Sequence, residues 1–368
     1  MVRRLLYING LAITCVVLFH AAGMGFVAMF TWVDRYAPQM LPGEQIGSVA
    51  YYVLRLVEQV VVFSIPAFMV VSGYFIAVAT GRNQKTVGWR VVFSRVIYLV
   101  IPYLIWSFVT FALNFLQGER YTPGRILIAL LTGRADEVLY FVPLLIQFYL
   151  ISPFLVRWAK ANWKSMLLVT GLFQILLAIV PFNSYIGLPS PIDALVVNWV
   201  PKWLVLSRIF WFPLGIVIGC YPAEFKQMFY KYRWWLLGTA IAAIPIGMIE
   251  WEVYFKLSGE EWLSHRETLV DNIYALVLII GILSFDRGKF PLFNFFSDLG
   301  PKSYGIFLTH ALAIEYLAKI IYHVAPNLLA YQIVLQPAFI VFGLGVPLLM
   351  MEVVNRSPLR RYSQYLFG

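Results

Sequence analysis

The apolar stretch YINGLAITCVVLFH, residues 7–20, ends on a histidine inside what reads as a membrane helix. An imidazole accepts and returns a proton near neutral pH, which acyl or proton transfer requires. His20 lies about 22 Å along that helix from its start. No carboxylate stands three or four residues away on its own helix. Catalysis and a structural hydrogen bond to another helix are both open to it. Eight more charged or titratable groups fall within apolar stretches: Arg55, Glu58, Arg95, Arg208, Asp271, His310, Glu315 and Lys319. Each costs roughly 3 kcal/mol to insert, so each needs a partner or a function. Glu315 and Lys319, four apart, pair on one helix face. Arg55 and Glu58, three apart, also pair, and Glu58 is in addition a candidate to orient a catalytic histidine. Arg208 and Asp271 fall near helix ends, within reach of the interface or of a partner. Arg95, five residues after Arg90, projects a permanently charged fork suited to phosphate groups. His310 lies about 10 Å from the inner end of its helix and is a candidate to touch a donor molecule. Tyr74, Gln147, Tyr149 and Tyr304 are candidates for substrate contact or for stabilising an oxyanion, against the alternative of interhelical bonding.

These groups need a membrane bundle to hold them. Hydrophobic residues make up 61% of the 368-residue chain and charged ones 12%, with a mean hydropathy of +0.77. A soluble domain cannot hide that much apolar surface. The expected fold is an all-α polytopic membrane protein of about ten transmembrane helices in a bundle around a central cavity. About 20 apolar residues cross the hydrocarbon, and the candidates are 5–32, 61–79, 91–115, 138–156, 165–181, 203–220, 234–250, 268–285, 303–324 and 332–354. The short pieces 50–60 and 125–132 are interfacial or belong to neighbouring helices. Arg3 and Arg4 precede a run too long for a signal peptide and without a cleavage site, which predicts a retained first helix.

The net charge of +10 does not imply nucleic acid, because of where the charge sits. With both termini cytoplasmic, every inner loop is basic, including Arg82, Arg157, Lys160, Lys164, Lys226, Lys231, Arg287, Lys289 and Arg356. That is the positive-inside bias. The expectation is one membrane domain over 1–368, with no soluble domain and a basic cytoplasmic tail at 355–368. The outer loops, such as NSYIGLPSPID at 183–193, are candidate lids. Cys15 and Cys220 fall in spans and read as small packing residues. No metal-ligand spacing is present.

Four segments resemble motifs of the acyltransferase-3 family of integral membrane acyltransferases: NGLAITCVVLFH (9–20), FSIPAFMVVSGYFIA (63–77), LYFVPLLIQFYLISPFL (139–155) and LGPKSYGIFLTH (299–310). They occur in the family's order along nearly the whole chain. The resemblance implies transfer of an acyl group, acetyl most often, from a coenzyme A thioester at the cytoplasmic face. The acceptor is a hydroxyl, or sometimes an amine, usually on a carbohydrate or glycolipid. Acyl-coenzyme A is then a substrate, and no permanently bound cofactor is implied. His20 stands at the family's catalytic histidine, and Arg95 matches a basic residue that contacts the coenzyme A phosphates. Two positions depart from the pattern. Asn9 replaces the arginine eleven residues before the histidine, and Tyr98 replaces the second arginine of the third-helix pair. Arg90, Arg4 and Lys302 are candidates for the missing charge.

The mechanism so implied has His20 either deprotonating the acceptor hydroxyl or carrying the acyl group itself. A multi-pass transporter or glycan flippase is the rival reading, since a ten-span bundle with buried charges suits it too. Matching halves with paired broken helices would favour it; Pro66, Pro102, Pro143 and Pro213 fall within or beside spans without forming such halves.

Overall fold

The computed structural model describes residues 2–41, 43–81, 83–183, 185–188, 191, 193, 196, 199–259, 263, 267–285 and 290–368. Arg82, Arg287, Lys289 and much of the 183–198 loop therefore lie outside the described residues. Among the described residues every regular element is helical, with no β-strand. The main helices are α1 (Val2–Phe26), α2 (Val49–Val61), α3 (Ser64–Ala79), α4 (Trp89–Leu116), α5 (Pro123–Thr132), α6 (Phe141–Ile179), α7 (Trp211–Cys220), α8 (Pro222–Ser258), α9 (Leu269–Ser284), α10 (Phe293–Leu299), α11 (Ser303–Val324), α12 (Gln332–Arg356) and α13 (Ser363–Phe367).

Seven helical stretches among the described residues are long and apolar enough to cross a membrane, and α5, α7 and α9 are shorter apolar helices. The expected count of ten is thus not reproduced, for three local reasons. First, the spans expected at 138–156 and 165–181 fall in one helical stretch, Glu137–Phe182, of 46 residues. At about 69 Å this is more than twice the hydrocarbon thickness. Its backbone leaves the helical region at Asn162, with φ −156° and ψ 85°. The Asn162 side chain then accepts from the backbone N–H of Ser165 at 3.0 Å, which is the N-cap bond of a new helix. Second, the span expected at 203–220 begins with a 3-10 turn, Val205–Arg208, and only Trp211–Cys220 is α-helical. The Gln147 side chain takes the Trp203 carbonyl at 2.7 Å and the Val205 N–H at 3.1 Å, backbone groups a helix would have used. Third, α9 has 16 residues and starts at a reciprocal cap. Asp271 accepts from the Thr268 N–H, and Thr268 from the Asp271 N–H, so Asp271 fixes a helix start. The segment 50–60 is helical, and α2 with α3 forms one apolar stretch, Val49–Ala79.

The chain divides into two compact units. The first comprises Met1–Ile65, Gly238–Ala275 and Pro291–Ser363; the second comprises Pro66–Leu237, Leu276–Phe290 and Gln364–Gly368. In the first, α1 packs against α2, α10, α11 and α12. Two glycines allow the closest of these approaches. A Cβ on Gly10 would run into the Phe296 carbonyl, and one on Gly300 into the Leu6 carbonyl, so backbone meets backbone. Such small-residue contacts drive helix association where no hydrophobic effect operates. Gly10→Val is expected to lower stability by about 1–3 kcal/mol, visible as a lower midpoint in thermal unfolding of the detergent-solubilised protein. An unchanged midpoint would contradict this crossing.

In the second unit α6 packs against α4 and α7, with Phe148 stacked on Phe212 at 5.0 Å. The C-terminal tail is folded: the Trp106 indole N–H donates to the Leu366 carbonyl at 2.9 Å.

Candidate functional site

The first unit brings two imidazoles together. His20, half-buried on α1, has its ring centroid 5.2 Å from that of His310 on α11, with the ring planes tilted by 55°. Phe19 meets His20 edge-on at 5.5 Å. His310 is fully buried. Its Nδ1 lies 3.0 Å from the Ile306 carbonyl and 2.9 Å from the Phe307 carbonyl. Carbonyls only accept, so Nδ1 must carry a proton. In the neutral ring Nε2 then holds the lone pair. That atom is buried without a hydrogen-bond partner among the described residues.

The turn after His20 is held from α12. Gln336 donates to the Ala21 carbonyl at 3.1 Å and to the Gln332 side chain at 3.0 Å, while Gln332 donates to the Gly25 carbonyl at 3.2 Å. Gly25 has no side chain to obstruct these amides, which a Cβ would strike. Just beyond, the helix widens to a π-helical turn, Val27–Thr31, a form concentrated at functional sites. Outside the membrane-spanning stretch, the Tyr36 hydroxyl donates to the Ala28 carbonyl at 3.0 Å and accepts from Gln45 at 2.7 Å. Burial raises the pKa of that phenol and the Gln45 bond lowers it, with burial the larger effect.

The other candidates are distributed between the two units. In the first, Glu58 is paired with Arg55, whose guanidinium stacks 3.4 Å over the Trp251 ring. Lys302 is exposed at the head of α11, and Tyr304 stacks on Phe307. Asn9 keeps a buried Oδ1 with no hydrogen-bond partner among the described residues. In the second unit Arg90, Arg95 and Tyr98 are exposed along α4. Tyr149 is buried, with Ser72 and the Arg95 charge around its hydroxyl, and Tyr74 is buried on α3. Gln147, a candidate for substrate contact, is bonded to backbone on two sides. Its amide hydrogens go to the Pro143 and Trp203 carbonyls and its oxygen to Val205 N–H, so its polar groups are committed to the fold. An apolar groove of about 1000 Å³ along α6, lined by Leu150, Phe154, Val169 and Leu172 among others, offers almost no polar group for chemistry.

Comparison with known proteins shows the family of the chain. A family model described as an acyltransferase domain matches residues 5–352. The chain belongs to the acyltransferase-3 family. It is also similar to a Staphylococcus aureus protein named "Probable poly-beta-1,6-N-acetyl-D-glucosamine export protein". In strains MSSA476, MW2 and N315 the two are 23% identical over 272 residues, 71% of each chain. No solved structure matches. As a member of this family the chain is a multi-pass membrane protein with the fold of an acyltransferase domain. Gln332 and Gln336 carry no charge, so their type alone does not mark them as the groups that hold α1. Two amides four apart at the head of an apolar helix were the available signal, since lipid gives them no partner.

Proposed function

We propose that this acyltransferase moves an acyl group, acetyl in the first instance, from acyl-coenzyme A at the cytoplasmic face to a hydroxyl of a carbohydrate or glycoconjugate. His20 is the acting group. The observation that carries this reading is a half-buried imidazole deep in a membrane helix, beside a second, fully buried imidazole, in a chain of this family. In direct transfer, His20 takes the hydroxyl proton as the acceptor oxygen bonds to the thioester carbon. The carbon–sulfur bond breaks, and the imidazolium returns the proton to the departing thiolate. In the two-step alternative, the His20 nitrogen takes the acyl group and releases thiolate; the hydroxyl then attacks that acyl carbon, the carbon–nitrogen bond breaks, and the hydroxyl proton passes to the thiolate. The phosphates of the donor are assigned to Arg90 and Arg95, whose exposed guanidinium groups suit them. The carbohydrate acceptor agrees with the relative's name, which refers to a polymer of N-acetylglucosamine.

That same name favours a second reading, glycan export without acylation. The test uses membranes with and without the protein, labelled acetyl-coenzyme A and a panel of sugar acceptors including N-acetylglucosamine oligomers. Label on the glycan supports the enzyme; movement of glycan across vesicles without label transfer supports export. Arg95→Ala is expected to raise the KM for acetyl-coenzyme A about tenfold, the equivalent of one charge-assisted hydrogen bond, with kcat nearly unchanged. Steady-state kinetics checks the split: a fall in kcat alone would remove Arg95 from donor binding.

A further inference from the structure

We infer that His310 is a positioning residue that sets the tautomer of His20 through its free Nε2. This rests on His20 being the acting group. His310 has no exposed surface, so it reaches the reactants only through a neighbour. Its Nδ1–H is committed to the Ile306 and Phe307 carbonyls, which fixes Nε2 as the lone-pair nitrogen of the neutral ring. A buried polar atom left without a partner is costly, and Nε2 is such an atom among the described residues.

The neighbouring polar ring is His20. A ring nitrogen lies about 1.1 Å from its centroid, so the 5.2 Å separation leaves about 3 Å between nitrogens turned toward each other, the length of an ordinary hydrogen bond. Rotation of the His20 ring closes the contact. One His20 nitrogen then donates N–H to His310 Nε2, and its other nitrogen keeps the lone pair that takes a proton or an acyl group. A second bond that fixes which nitrogen of a histidine is protonated is a general way to orient the ring. Here a neutral imidazole, tied in turn to a helix backbone, supplies it without placing a carboxylate in the membrane.

Two substitutions separate this role from a structural one. His310→Asn keeps an amide near Nδ1, able to bond the helix carbonyls, but leaves nothing at Nε2. His310→Gln places its amide near Nε2 and gives up the Nδ1 position. A positioning role predicts that His310→Gln retains several-fold higher kcat than His310→Asn, with the KM for acetyl-coenzyme A the same in both. A structural role predicts the reverse order, since Asn keeps the backbone bonds. Nitrogen-15 NMR of histidine-labelled protein in lipid supplies a readout independent of activity. The wild type is expected to show one His20 tautomer and His310→Asn a mixture. Equal kcat in the two variants, or an unchanged His20 tautomer in His310→Asn, would overturn the inference. Full activity in His20→Ala would instead remove His20 as the acting group, leaving the tautomer measurement to judge the contact itself.

Discussion

His20→Ala is expected to lower acyl transfer by about 10²–10⁴-fold, the usual contribution of a positioned general base, with the folded protein recovered in normal yield. The two halves of this expectation have separate grounds. The His20 ring is half-buried and makes no hydrogen bond among the described residues. Its contacts are the Phe19 and His310 rings, with the single bond inferred to His310 Nε2, so truncation removes little that holds α1. The hold on α1 comes from Gly10 against Phe296 and from the Gln332 and Gln336 amides on the Ala21 and Gly25 carbonyls. Loss of activity with an unchanged elution profile therefore reports on chemistry. Transfer within a few-fold of wild type would dismiss His20. The two mechanisms also separate in one experiment. A covalent acyl group found on residue 20 by mass spectrometry, after incubation with donor alone, identifies the carrier route. Its absence under conditions of full turnover favours direct proton abstraction.

How much of this was legible depends on the range of the interaction. Local rules served well. The apolar run at 91–115 became α4 almost residue for residue, and Glu315 with Lys319 forms the expected pair on one helix face. His20 stood out because lipid offers an imidazole nothing. Long-range partners were not legible. Nothing near His20 in the chain points to His310, which reaches it only because α1 and α11 pack side by side. The clamp that Gln147 makes ahead of α7 was not legible either, because the backbone it captures lies far along the chain. Asn162 hides a helix break inside a basic, helix-favouring stretch, and its capping role becomes visible only when its bond to Ser165 is seen. Asp271, charged and near a helix end, caps that end and also accepts from Gln59 at 2.7 Å.

Breaking the Arg55–Glu58 pair on one side is expected to be the most destabilising single change in the first unit. Both residues are almost wholly buried, at 3% and 4% exposure. Glu58→Leu leaves the Arg55 guanidinium over Trp251 without its paired carboxylate, with only the more distant Asp271 charge acting on it. Stranding a buried charge in this way costs about 3–5 kcal/mol. Arg55→Met combined with Glu58→Leu removes both charges, and packed apolar groups of similar volume replace an ion pair at little net cost. The double variant is therefore expected to unfold at a higher temperature than Glu58→Leu alone, a non-additivity that a double-mutant cycle measures directly. Equal, additive losses would show that the pair is not coupled. The same cycle decides the second role considered for Glu58. If it serves only the ion pair, kcat per folded molecule in the double variant stays near wild type. If it orients His20, kcat falls in every variant lacking the carboxylate, including the one whose stability has been restored.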